Sequence, residues 1–74
     1  MMVTGEQIRQ ARALLGWSQR MLAEAAGYEL AVISDFEAGR RALFPEACAA
    51  IQAPLEAAGV IFPEGNPPRL KPVP

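Results

Sequence analysis

Residues 15–41 decide how this chain folds. They read Leu15-Gly16-Trp17-Ser18-Gln19-Arg20-Met21-Leu22-Ala23-Glu24-Ala25-Ala26-Gly27, Tyr28-Glu29-Leu30-Ala31-Val32, Ile33-Ser34-Asp35-Phe36-Glu37-Ala38-Gly39-Arg40-Arg41. Glycines at 16, 27 and 39 each follow a run of apolar residues at helical spacing, where a helix C-terminal glycine belongs. Ser18 predicts an N-cap for a helix over Gln19–Ala26, with Trp17 stapled onto Leu22. Leu22, Ala23 and Ala26 make its inward face. A third helix is predicted over Leu30–Ala38. Leu30, Ile33 and Phe36 point to the core, and Ala31, Val32 and Asp35 point more outward. Its cap is poor, because Glu29 stands where Ser, Thr, Asp or Asn is usual, although a carboxylate suits the helix dipole. Each helix is about two turns long, too short to persist in water alone, so flanking segments must cover them.

Those flanks supply the cover. Upstream, Thr4 and Gln7 form a capping-box pattern, Val3 and Ile8 form the matching staple, and a helix over Gly5–Leu15 carries Ile8, Ala11, Arg12 and Leu15 on one face. Downstream, Pro45 is a favoured first-turn residue. Ala47, Cys48, Ile51, Leu55 and Ala58 define the buried stripe of a fourth helix. Pro54 predicts a kink, or a break into 45–53 and 54–58, at a cost of about 3 kcal/mol. After Gly59, Val60-Ile61-Phe62 reads as a short strand. Arg69-Leu70-Lys71 can pair back onto it, confined to an edge by Pro68 and Pro72. Five of the seven prolines lie in residues 63–74. The prediction is an all-α, compact bundle of four to five helices with a short C-terminal strand or hairpin. Residues 1–59 form the domain, and 60–74 form a strand and proline-rich tail.

With 74 residues, one small domain is the ceiling, and roughly 60% of the unfolded surface can be buried. Hydrophobic residues make up 51% of the chain, but fourteen of them are alanine, which favours helix and buries little area. The chain has no histidine and one cysteine, Cys48. That excludes an internal disulfide, the usual zinc sites and histidine-based acid–base or nucleophile systems. With no phosphate-binding glycine loop either, and too little chain for a substrate cleft, no enzyme and no cofactor are expected. No apolar run is long enough to span a membrane. Residues 1–6 lack a basic region before an apolar stretch, so no signal peptide is expected, and a lone thiol fits the cytoplasm. Net charge is −1, which announces no polyanionic partner.

Two short helices joined by a tight glycine-containing turn are the signature of a helix-turn-helix. The pattern LGWSQxxLAxxAG followed by IxxFExGRR resembles the Cro/C1-type (XRE) family of phage and bacterial regulators, over about Thr4 to Ala58. The segment AAGVIF is similar to a strand in its small single-domain members. The resemblance implies a lambda-repressor-like fold and a double-stranded DNA partner. It implies phosphate contacts from Ser18 and Gln19 at the start of the second helix, with Arg20 beside them, and from Arg40 and Arg41 after the recognition helix. The free N–H groups and positive dipole end at Ser18 and Gln19 suit an anion. Glu29, Ala31, Val32 and Asp35 match positions that reach base edges, whereas Leu30 reads as core. Arg12 and Glu37 match a structural ion pair. Trp17 and Phe36 read as core, Cys48 as a buried small hydrophobe, and Arg9 as exposed.

Departures from the family pattern concentrate on the third helix. The family carries Ser or Thr at 29, a polar residue at 32 and Arg, Lys, Asn or Gln at 35; this chain has Glu29, Val32 and Asp35. Two carboxylates on the reading face oppose the electrostatic term that drives non-specific DNA binding. By segment, net charge is zero over 1–41, −2 over 42–59 and +1 over 60–74, with arginines at the ends of the helix pair. Two functions follow. One is a sequence-specific DNA-binding transcriptional regulator, acting as a homodimer through Val60, Ile61 and Phe62 and the apolar face of the fourth helix. The other is a protein-interaction module (antirepressor, adaptor or inhibitor) that has lost or weakened DNA binding.

Overall fold

In the computed structural model, which describes residues 2–72, four helices precede one hairpin. They are α1 (Gly5–Leu15), α2 (Gln19–Ala26), α3 (Leu30–Glu37) and α4 (Pro45–Ala57), then β1 (Val60–Ile61) and β2 (Arg69–Leu70). The fold is the mostly helical bundle expected, with four helices. Thr4 Oγ1 accepts from the Gln7 N–H at 3.1 Å, and Gln7 Oε1 accepts from the Thr4 N–H at 2.8 Å. Val3 and Ile8 of the staple are both buried. This capping box satisfies two donors that would otherwise lack partners at the start of α1. α3 ends one residue before its predicted limit, with Ala38 as the C-cap.

α2 packs on α3 and α4, and α1 packs on α3 and α4. Ile8, Leu22, Ile33, Ile51 and Leu55 meet at the centre with no exposed surface. Trp17, Leu15 and Tyr28 lie partly buried around them. Two apolar residues depart from the predicted core. Leu30 is 37% exposed: as the first residue of α3 it borders the turn rather than the bundle. Ala58 is exposed because it caps the end of α4.

Of the kink or break expected at Pro54, the break does not occur. α4 runs through Pro54 to Ala57 as one helix. Pro54 cannot donate to the Ala50 carbonyl. It lies in the last turn, however, where its own carbonyl accepts from the Ala58 N–H at 3.1 Å. Ile51 and Leu55, buried on either side, anchor both turns to the core.

The hairpin belongs to the core as much as to the surface. β1 and β2 are antiparallel, with Val60 opposite Leu70 and Ile61 opposite Arg69. The Lys71 N–H closes the ladder onto the Gly59 carbonyl at 2.8 Å. Val60 is buried and Pro68 is buried. Phe62, expected in the strand, falls beyond its end and packs partly buried on the core. Pro63 follows it and has no N–H to extend the ladder.

Cys48 is 3% exposed, with Sγ 3.8 Å from the Leu43 carbonyl oxygen. Burial raises its thiol pKa, because the thiolate loses solvation. Native protein is therefore expected to resist iodoacetamide at neutral pH and to react on unfolding; rapid labelling of the native chain would contradict this burial. The sign for stability follows from the raised value. The contribution is complete below the unfolded thiol's range and is lost as pH rises through the folded value.

Candidate nucleic-acid interface

α3 buries Ile33 and Phe36 and turns its opposite side outward. Ala31 and Asp35, one turn apart, lie on the side away from Ile33. Ala31 is exposed, Asp35 and Val32 are half-buried, and Glu29 is an exposed N-cap without a cap hydrogen bond. Ala31 and Asp35 thus share the outer side of α3, with Val32 at its margin and Glu29 at its start. At the head of α2, Ser18 Oγ accepts from the Met21 N–H at 3.0 Å, which leaves its O–H to donate elsewhere. Arg20 and Arg41 are exposed.

The helix pair is locked by one charged cluster. Arg12 donates through Nε to Glu37 Oε2 at 2.7 Å and through Nη2 to Glu37 Oε1 at 2.6 Å. Its Nη1 donates to the Trp17 carbonyl oxygen at 2.8 Å. Gln19 Nε2 adds a bond to Glu37 Oε1 at 3.1 Å. The Glu37 side chain is 3% exposed and that of Arg12 15%. The hydrogen bond to Glu37 raises the Arg12 pKa. A forked guanidinium on a carboxylate is the strongest form of such a pair. Here it joins α1, the turn before α2, the first residue of α2 and the last of α3.

A second charged contact closes the other end of the reading face. The Gly39 N–H donates to the Phe36 carbonyl at 3.1 Å, and the Arg40 N–H donates to the Asp35 carbonyl at 2.8 Å. With Gly39 at φ 77°, this is a Schellman termination. A left-handed residue there costs any side chain about 1–2 kcal/mol, and glycine nothing. The turn brings Arg40 back over α3, where Nε lies 3.2 Å and Nη2 3.1 Å from Asp35 Oδ1. Asp35 and Arg40, predicted to meet a base and a phosphate separately, are therefore partners in the free protein.

A family model described as a helix-turn-helix domain matches residues 4–60, well over half the chain. The chain belongs to the helix-turn-helix domain family. The match covers all four helices and the first residue of β1. None of the curated proteins compared with the chain matches it. In a helix-turn-helix domain the second helix of the pair is the one shaped to enter a DNA major groove, and in this chain that helix is α3.

The remaining predicted site residues are distributed unevenly over this helix-turn-helix domain. Val60 is in the core and Ile61 pairs with Arg69, so the strand proposed for dimer contact is engaged by its own chain. Leu70 is the exposed apolar residue of the hairpin. Arg9 is exposed and pairs with Glu6. Two features were not read from the sequence. One is the Gln19 bond to Glu37, for which no sequence signal exists. The other is the Asp35–Arg40 contact, which Phe36-Glu37-Ala38-Gly39-Arg40 encodes as a glycine at the C′ position. Among the described residues, no helix is long and apolar enough to cross a membrane.

Proposed function

We propose that this helix-turn-helix domain is a sequence-specific transcriptional regulator of the Cro/C1 type, binding double-stranded DNA as a homodimer with α3 in the major groove. The observation that carries it is the combination of a matched helix-turn-helix domain with an α3 that, among the described residues, carries no other helix on its outer side, where Ala31 is exposed and Arg40 alone reaches over Asp35. In this reading Ser18, Gln19, Arg20 and Arg41 would contact phosphates, while Glu29, Ala31, Val32 and Asp35 would meet base edges. A single module reads a half-site, so two copies would span half-sites about 34 Å apart. In this proposal Leu70 and the outer edge of β2 take over the dimer contact from Val60. A bare strand edge invites such pairing. The cytoplasm is the expected compartment.

The test is binding to duplex DNA upstream of the chain's own gene at several salt concentrations. With about three phosphate contacts per protomer, the slope of log affinity against log salt is expected to be roughly −5 for the dimer. Arg41→Ala is expected to weaken binding to all sequences alike and to flatten the slope. Absence of any specific complex at low salt would overturn the DNA-reading role. It would leave the protein-interaction alternative, which Glu29 and Phe44, the latter 79% exposed, favour.

A further inference from the structure

We propose that Arg40 is a positioning residue for base recognition: it holds Asp35 on the outer side of α3 with one carboxylate oxygen kept open for a cytosine amino group. This deepens the DNA-reading proposal and rests on α3 entering the groove. Both Arg40 contacts, Nε at 3.2 Å and Nη2 at 3.1 Å, converge on Oδ1. Neither engages Oδ2, which keeps its full capacity to accept. In the major groove cytosine presents the N4 amino donor. Guanine presents O6 and N7 acceptors, and thymine presents O4. Adenine offers an amino group too, but beside the N7 acceptor, which repels a carboxylate. A held carboxylate with one open oxygen therefore selects cytosine.

Arg40 also answers the electrostatic objection to an acid on this helix. A bare carboxylate is driven away by the phosphates, whereas a carboxylate clamped by a guanidinium carries no net charge into the groove. The clamp is set by the backbone as well as by the side chains. The Arg40 N–H is bonded to the Asp35 carbonyl at 2.8 Å, and Gly39 fixes the reversal between them. The pair is largely solvent-facing, with Arg40 at 64% and Asp35 at 33% exposure. Contacts this exposed contribute little to folding, so removing one leaves a folded protein to assay.

The experiment selects bound sites from a randomised duplex pool, then measures affinity for every single base-pair change in the selected site. The parent chain is expected to prefer a C·G pair at one position by roughly tenfold. Arg40→Ala should reduce that preference to about twofold or less with the melting temperature nearly unchanged, whereas Arg41→Ala should keep the preference and lose affinity throughout. Asp35→Asn should change the preferred base at that position, and adding Arg40→Ala to Asp35→Asn should not change it again. The inference is overturned if Arg40→Ala and Arg41→Ala weaken all sites equally, or if the two changes at 35 and 40 act independently. Failure of the parent chain to select any site would overturn the DNA-reading proposal and this inference together. Selection of a site with an Arg40-independent preference would overturn this inference alone.

Discussion

Arg12→Ala is expected to remove about 3–5 kcal/mol, a large share of the stability of the domain. The change leaves the Glu37 carboxylate, 3% exposed, with only the Gln19 amide as a side-chain donor. The Trp17 carbonyl also loses its bond to Nη1. Removing one member of a buried ion pair costs about 3–5 kcal/mol, because the other charge remains desolvated and uncompensated. A domain of this length has only about 4–11 kcal/mol of total stability. Urea unfolding followed by circular dichroism measures the loss. Arg12→Lys is expected to recover only part of it, since an ammonium cannot reproduce the fork on Glu37 while reaching Trp17. Replacing both partners at once separates charge from packing. Arg12→Met with Glu37→Leu removes both desolvation penalties and is expected to fold, close to or above the parent in stability. A single Arg12→Ala variant within about 1 kcal/mol of the parent would show that the pair is not the lock of the helix-turn-helix.

The local signals in this sequence were strong enough to give the helices almost residue by residue. Thr4 with Gln7, Ser18, Gly16 and Gly27 are chemical punctuation whose effect depends on near neighbours only, and α1 and α2 follow them. Misreadings arose where tertiary surroundings outweigh local preference. Pro54 should kink or break a helix by its own chemistry; the break is absent because Ile51 and Leu55 are buried on both sides of it and hold the helix together. Leu30 belongs on the apolar face by spacing, but the bundle does not reach the first residue of α3. The pairing of residues 69–70 back onto Val60 and Ile61 was legible from the prolines that flank them, but the burial of Val60 that accompanies it depends on the packing of β1 against α4. At the interface, the exposed residues of α3 were legible from helical spacing. What spacing cannot show is how charges pair across a turn. Asp35 and Glu29 looked alike as acids on the reading side, but only Asp35 has a guanidinium folded over it.

Gly5→Ala tests the least obvious constraint in the fold. In an ordinary helical position this substitution stabilises by about 0.4–1 kcal/mol, through the unfolded chain's lost freedom. Here a methyl group on Gly5 would stand 2.0 Å from the Phe36 carbonyl oxygen, 2.8 Å from its carbon and 3.0 Å from Glu37 Cα. All three are backbone atoms, so no side chain can swing aside. The start of α1 and the end of α3 would have to separate, pulling against Arg12–Glu37, which ties the same two helices. Overpacking costs about 1–3 kcal/mol where side chains can adjust; a backbone clash this close belongs at or above the upper end. The net effect is expected to be a loss of about 2 kcal/mol or more, a fall in melting temperature of roughly 10 °C for a domain this small. The Phe36 carbonyl also accepts the Gly39 N–H, so displacing it disturbs the turn that aims Arg40 at Asp35. Gly5→Ala should therefore weaken sequence preference as well as stability, although residue 5 lies outside α3. Glu6→Ala, on an exposed neighbour, serves as the control and should leave the melting temperature nearly unchanged. A higher melting temperature for Gly5→Ala would mean that α1 and α3 do not approach this closely, and that the turn at Gly39 is not held from beneath.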